Sequence, residues 1–261
     1  MSLLEALAIA AAGMAAGTIN TIVGSGTLVT FPTLLFFGYA PVSANVSNSL
    51  GLVAGGVSGA WGYRHEMTGL RSTLLRLVPA SLAGGILGAL LLLVLPESAF
   101  ETIVPVLIAL ALVLVVIGPS LNRWAARRRS LAGLDEVSDA LGPAQWTALI
   151  LGVLGGGVYG GYFGAAQGVL LIGVMGVLLP LRLQQINGIK NVLTLLVNLI
   201  AALVFLIVQP EQINWTVAAL IAAGSTVGGL IGARVGRRMP PWLLRGVIIT
   251  IGVIAIVVLL Q

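Results

Sequence analysis

Lys190 is the only lysine among 261 residues, and it stands inside an apolar stretch, "QINGIKNVLTLLVN". An ionisable side chain within hydrocarbon is costly, and where one occurs it faces a pathway, a partner or a ligand. Asn187 and Asn191 are one helical turn apart and share a face, with Lys190 beside them. No carboxylate of the second half lies in an apolar segment to pair with that ammonium, so an anionic ligand is its natural counter-charge. The competing reading is a lysine that snorkels to the interface from a helix end. The first half carries a comparable polar run, "APVSANVSNSLG", which places Asn45, Ser47, Asn48 and Ser49 early in an otherwise apolar segment.

Each polar run follows an interruption. In "GTINTIVGSGTLVTFPTLLFFG", residues 17–38, Asn20 and Thr21 precede Gly24-Ser25-Gly26-Thr27, and Pro32 comes soon after. The counterpart in the second half is Gly164-Ala165-Ala166-Gln167-Gly168. Glycine costs a helix interior about 1 kcal/mol relative to alanine and proline about 3, so a chain entering a bilayer weakens its helix at both places. Broken helices whose N-termini aim partial positive charge and free N–H groups at a ligand are a transporter device. Gly24 and Gly164 are therefore expected to start two short helices that face a shared cavity near the midplane. The bland alternative is close packing, which suits the every-fourth-residue series Gly152 to Gly168 and Gly51, Gly55, Gly59.

Enzyme chemistry finds no foothold. "GGGVYG" at 155–160 fits G-x-G-x-x-G, but no strand precedes it and no acidic residue follows at the required distance. There is no H-E-x-x-H, no aspartate lies within an apolar segment, and the sole histidine, His65, stands in a connection beside Arg64 and Glu66. A serine nucleophile at Ser25 would have to reach His65 from a different depth. No nucleotide-binding motif and no cofactor site emerge.

The elements that must position these residues follow from composition. Hydrophobic residues make up 58% and charged residues 8%, against about 25% charged in a soluble domain, and mean hydropathy is +1.10. The chain is an all-α polytopic membrane protein. Ten apolar segments are expected, at 3–23, 25–38, 42–63, 72–95, 98–118, 144–164, 166–180, 183–208, 213–234 and 240–260. The second and seventh are too short to cross comfortably and look like half-helices or arms of re-entrant hairpins. The first lacks a basic leader and reads as a retained span, not a cleaved peptide. The five tryptophans lie near segment ends, as interfacial anchors do.

The chain divides into a first transmembrane repeat, 1–118, a cytoplasmic linker, 119–143, and a second transmembrane repeat, 144–261. At an offset of 140, Gly17 meets Gly157, Gly24 meets Gly164 and Ser58 meets Asn198. At 144, Gly84-Gly85 meets Gly228-Gly229, Gly88 meets Gly232 and Pro96 meets Pro240. Breakers that keep one offset over such a distance mark an internal repeat. The net charge of +5 would suggest nucleic acid in a soluble protein, but the arginines cluster in alternate connections and in the linker, so they serve orientation and no nucleic acid is expected. They place the linker and the 64–71 connection in the cytoplasm and both termini outside. Equivalent connections then fall on opposite sides, which makes the repeats inverted. Eight or ten crossings satisfy the charge pattern equally.

With these residues in view, Gly24-Ser25-Gly26 followed by "FPTLLFFGYAPVSANVSNS", then "GGVYGGYFGAAQG" and "QINGIKNVLTLLVN", resembles the sulfite exporter TauE/SafE family of membrane permeases, over essentially the whole chain. The resemblance implies export of sulfur-containing oxyanions or organosulfonates across the bacterial cytoplasmic membrane. The expected function is secondary or facilitated export of a small anion such as sulfite or an organosulfonate through a midplane site. That site would draw on Asn20, Gly24, Ser25, Gly26, Thr27, Asn45, Asn48, Gly164, Gln167, Asn187, Lys190 and Asn191. Import of a related anion such as thiosulfate, and an intramembrane enzyme, are the alternatives. The expected partners are the anion and the lipid bilayer, and a homodimer stays open.

Overall fold

The computed structural model describes residues 1–131 and 141–235, and beyond these only positions 246, 249, 250 and 253. Among the described residues the long elements are helices: α1 (Leu3–Ile22), α2 (Thr27–Phe36), α3 (Pro41–Gly62), α4 (Arg71–Val94), α5 (Glu97–Leu131), α6 (Pro143–Tyr162), α7 (Gln167–Leu178), α8 (Leu183–Val208) and α9 (Trp215–Val235). They coincide with the first nine expected segments to within a few residues, except at one end. The segment expected at 240–260 lies almost wholly outside the described residues.

Local chemistry explains several boundaries. Ser2 and Glu5 form a reciprocal capping box at the start of α1, each bond 3.1 Å. Pro41 and Pro143 stand in the first turn of α3 and α6, where a missing N–H costs nothing. The exception is α5, which was expected to end at 118 but continues to Leu131. Its extension, "NRWAARRRSL", is rich in alanine and arginine, both strong helix formers, so loss of hydrophobicity does not end the helix. The first part of the expected linker is thus helical. Its residues 132–140 lie outside the described ones.

Five described helices are long and apolar enough to cross a bilayer: α1, α4, α5 over Ser98–Ile117, α8 and α9. With 22 and 20 residues, α3 and α6 have the length and fall short only in apolar content. They carry the Asn/Ser run and the glycine-rich approach to the second break. With 10 and 12 residues, α2 and α7 span about 15–18 Å at 1.5 Å per residue, about half of a ~30 Å hydrocarbon core.

The two halves interlock by exchange. Helix α1 packs along α9, and α6 packs along α4; α9 also lies on α3 and α4 on α8, while α3 meets α8. The repeating glycines are the contact points. A Cβ on Gly84 would strike Leu154 O and one on Gly88 would strike Val158 O. At the matching places a Cβ on Gly228 would strike Met14 O, and one on Gly232 would crowd Thr18 O. Gly17 abuts Ser225 and Gly157 abuts Ser81 in the same way. Residues that share a sequence offset therefore make equivalent contacts. Backbones this close gain dispersion and exclude lipid, which drives helix association where no hydrophobic effect is available.

Candidate functional site

Both breaks are built alike. The N–H groups of Val23 and Gly24 both donate to Ile19 O, at 2.7 and 3.1 Å, and those of Phe163 and Gly164 both donate to Tyr159 O, at 3.0 and 3.1 Å. Ile19 and Tyr159 are 140 positions apart. Gly24 and Gly164 adopt left-handed φ of 86° and 79°, the conformation that ends a helix and that glycine adopts without strain. This corrects one expectation. These glycines terminate α1 and α6, and the short helices begin three residues later, at Thr27 and Gln167. The Schellman-like ending explains the shift, because the left-handed glycine turns the chain out of the first helix, and two further residues pass before the next helix starts.

The breaks touch. Gly168 N–H donates to Gly24 O at 3.0 Å, and the two glycine Cα atoms are so close that a Cβ on either would collide with the other. Four helix ends therefore converge: the C-termini of α1 and α6, which expose carbonyls, and the N-termini of α2 and α7, which expose amides. What happens to each kind of end decides the electrostatics.

The carbonyl ends are capped by the opposite half. Lys190 on α8 reaches the end of α1, where its Nζ donates to Asn20 O at 2.8 Å and Thr21 O at 3.0 Å. Asn191 Nδ2 adds a bond to Thr21 O at 3.2 Å. Asn45 on α3 donates from Nδ2 to Tyr162 O, the last residue of α6, at 3.0 Å. A positive group at a helix C-terminus both satisfies orphan carbonyls and opposes the dipole. Lys190 has 0% exposure, so it does not snorkel. Two of its three N–H groups hold α1, and its stem lies against Gly168.

The amide ends are satisfied only in part: the N–H groups of Leu28, Val29, Gln167, Gly168 and Val169 all find backbone carbonyls. Among the described residues the backbone N–H groups of Ser25 and Gly26, and of Ala165 and Ala166, have no acceptor. Buried side-chain atoms around them are also unpartnered: Ser25 Oγ and Gln167 Nε2 at the breaks, Asn45 Oδ1 and Asn187 Oδ1 on the flanking helices, and the Tyr162 hydroxyl. Ser25 and Gln167 are 0% and 2% exposed. Buried orphans of this kind are rare in folded proteins. Ser25 and Gln167 stand in the breaks themselves, Tyr162 and Asn45 at the end of α6, and Asn187 and Gln184, whose Oε1 is a sixth such atom, in the first turns of α8.

The other expected residues divide between site and scaffold. Asn48 holds the first turn of α2, donating to Thr27 Oγ1 at 3.2 Å and accepting from Thr30 Oγ1. Ser47 leaves the site and accepts from Asn214 N–H at 2.8 Å, just before α9. Ser49 bonds to Asn45 O within its own helix. An aromatic wall stands beside the breaks; Tyr162 and Phe163 precede the second break in sequence and could be expected to line a pathway or to pack, but Phe31 and Phe100 were missed. Phe31 meets Phe163 edge-on at 5.2 Å, and Phe100 lies 5.7 Å from Tyr162 and 6.1 Å from Phe163. Phe31 and Phe100 had no sequence signal, because nothing in an apolar run marks which phenylalanines will meet. Thr30 had a faint one, as a hydroxyl within such a run.

No solved structure matches the chain. Among curated proteins it is 27% identical over 238 residues to a "Probable membrane transporter protein" of Haemophilus influenzae, covering 91% of this chain and 87% of that protein. It is 25% identical over 242 residues to the "Probable membrane transporter protein YfcA" of Escherichia coli K12, covering 92% and 84%. It is 27% identical over 225 residues to "Probable membrane transporter protein ORF9" of Sinorhizobium sp, covering 85% and 80%. The profile of the Sulfite exporter TauE/SafE family matches residues 9–259, both breaks and both polar runs included, and the chain thus belongs to that family of membrane transporters, not of enzymes.

Proposed function

We propose that the protein exports a small sulfur-containing anion, sulfite or an organosulfonate, through the crossing of the two breaks. One observation carries the reading: at that crossing the carbonyl ends are covered by Lys190, Asn191 and Asn45, while among the described residues the N–H groups of Ser25, Gly26, Ala165 and Ala166, which lead into α2 and α7, have no acceptor. The remaining field favours negative charge. An oxyanion has acceptors for the open N–H groups, for Ser25 Oγ and for Gln167 Nε2. Lys190, with two of its three N–H groups used on α1, lies against the crossing through its stem at Gly168, and Asn187 stands one turn before Asn191 on the same helix. The sulfur class itself comes from the family.

Export needs no acidic coupling residue, because an anion leaving a negative interior gains about 2.3 kcal/mol per charge per 100 mV. Equivalent glycine contacts support an internal repeat, and the arginine distribution supports its inversion, with both termini outside a bacterial cytoplasmic membrane. Single cysteines at Ser2 and Ser130, in a chain that has none, should label from opposite sides of intact cells. Labelling from one side overturns the orientation.

The deciding experiment is flux in proteoliposomes over sulfite, sulfate, thiosulfate, sulfoacetate and taurine. Saturable movement of sulfite or a sulfonate is the expected result. Exclusive movement of a cation or a neutral solute would overturn the anion reading, and uptake of thiosulfate into cells would reverse the direction.

A further inference from the structure

Carbonyl oxygens collect at the C-terminal end of a broken membrane helix, and in transporters with discontinuous helices such ends coordinate Na⁺. In this chain the end of α1 is already filled. Lys190 Nζ stands 2.8 and 3.0 Å from Asn20 O and Thr21 O, within reach of charge-assisted hydrogen bonds. The ammonium is wholly buried, and among the described residues no carboxylate pairs with it. Its charge is balanced by main-chain carbonyls alone, the ligand type that suits a bare monovalent cation.

We propose that the end of α1 is a monovalent-cation site whose occupant is the chain's own Lys190 ammonium, so that the transporter needs no Na⁺. A free ion would have to bind and leave, opening and closing the α1 terminus with each passage. A tethered one keeps Asn20 O and Thr21 O satisfied and holds α1 against α8 and Gly168 whatever the bath contains. Among the described residues no such cation reaches the second break, where Asn45 covers Tyr162 O with a neutral amide. The built-in charge thus belongs to one half only. None of this depends on which anion is carried.

Lys190→Ala tests it, because the deleted atoms Cγ, Cδ, Cε and Nζ correspond to n-propylammonium. The purified variant should melt lower than wild type by roughly 5 °C or more, as expected when buried carbonyls lose their partner. Millimolar n-propylammonium should raise that temperature by several degrees, while n-propanol and choline do not, and wild type should respond to none of them. Equal stabilisation by n-propanol would show that the site needs only volume, and no response to n-propylammonium would show that it takes no cation; either overturns the proposal. A second measurement does not require the variant to fold. Wild-type flux should be unchanged when Na⁺ is replaced by choline, and a several-fold fall would overturn the built-in cation. Absence of anion flux in both media would count against the transport reading and leave the melting results standing.

Discussion

The two breaks are the same backbone device held by different chemistry. Each ends a long helix with a left-handed glycine and two N–H groups on one carbonyl five residues back. The end of α1 is then held by a buried ammonium and an amide, whereas the end of α6 is held by one amide from Asn45. Backbone geometry was retained between the halves and charge was not. A repeat needs equivalent packing to close its interface, but a site needs one net sign of field, which a single buried cation supplies.

The sharpest way to break the comparison is steric. Gly24→Ala and Gly168→Val should both abolish a monodisperse folded species on size-exclusion chromatography, since each new side chain meets the other break's backbone. Gly38→Ala is the control. Gly38 also has a left-handed φ, of 82°, but nothing stands within 4 Å of its would-be Cβ, so it should cost only the backbone strain of about 1–2 kcal/mol. A folded Gly168→Val protein would mean that the crossing is loose.

The charge difference comes next. Lys190→Met keeps the stem and removes the donors from two carbonyls, which should destabilise the protein by on the order of 3 kcal/mol and cut anion flux sharply. Asn45→Leu uncovers one carbonyl and should cost about 1 kcal/mol. Similar melting shifts for the two variants would erase the proposed asymmetry.

The smallest effect is the most informative about function. Ser25→Ala removes a buried hydroxyl that has no partner, so folding should be unchanged or improved by up to about 1 kcal/mol. Anion affinity in flux assays should fall, because a ligand donor is gone. A Ser25→Ala protein that melts lower with full affinity would assign the hydroxyl to structure. Gln167→Leu should behave in the same direction at the other break.

Both breaks were legible in the sequence because glycine and a polar cluster inside an apolar run contradict helix propensity, and such contradictions survive without tertiary information. Asn45 and Lys190 were legible because hydrocarbon makes an unpaired polar group expensive. The partner of Lys190 was not legible. The ammonium was expected to await a ligand or to snorkel, and it instead holds carbonyls 170 residues away in the chain. A backbone acceptor leaves no trace in side-chain identity. The continuation of α5 to Leu131 was obscured for a related reason, since hydropathy marks where a bilayer ends and not where a helix does.

By itself, then, the sequence determined what is local or additive: membrane residence from composition, and ten apolar segments from hydropathy and breakers, the first nine of which are helices among the described residues. Only the tertiary structure decided which ends meet. It set the breaks against each other through Gly24 and Gly168, gave the carbonyl ends to Lys190, Asn191 and Asn45, and left the amides of Ser25, Gly26, Ala165 and Ala166 open. The physical reason is that helix-end groups are identical in every sequence. Whether such an end is capped or left open depends on what the fold carries to it from far along the chain.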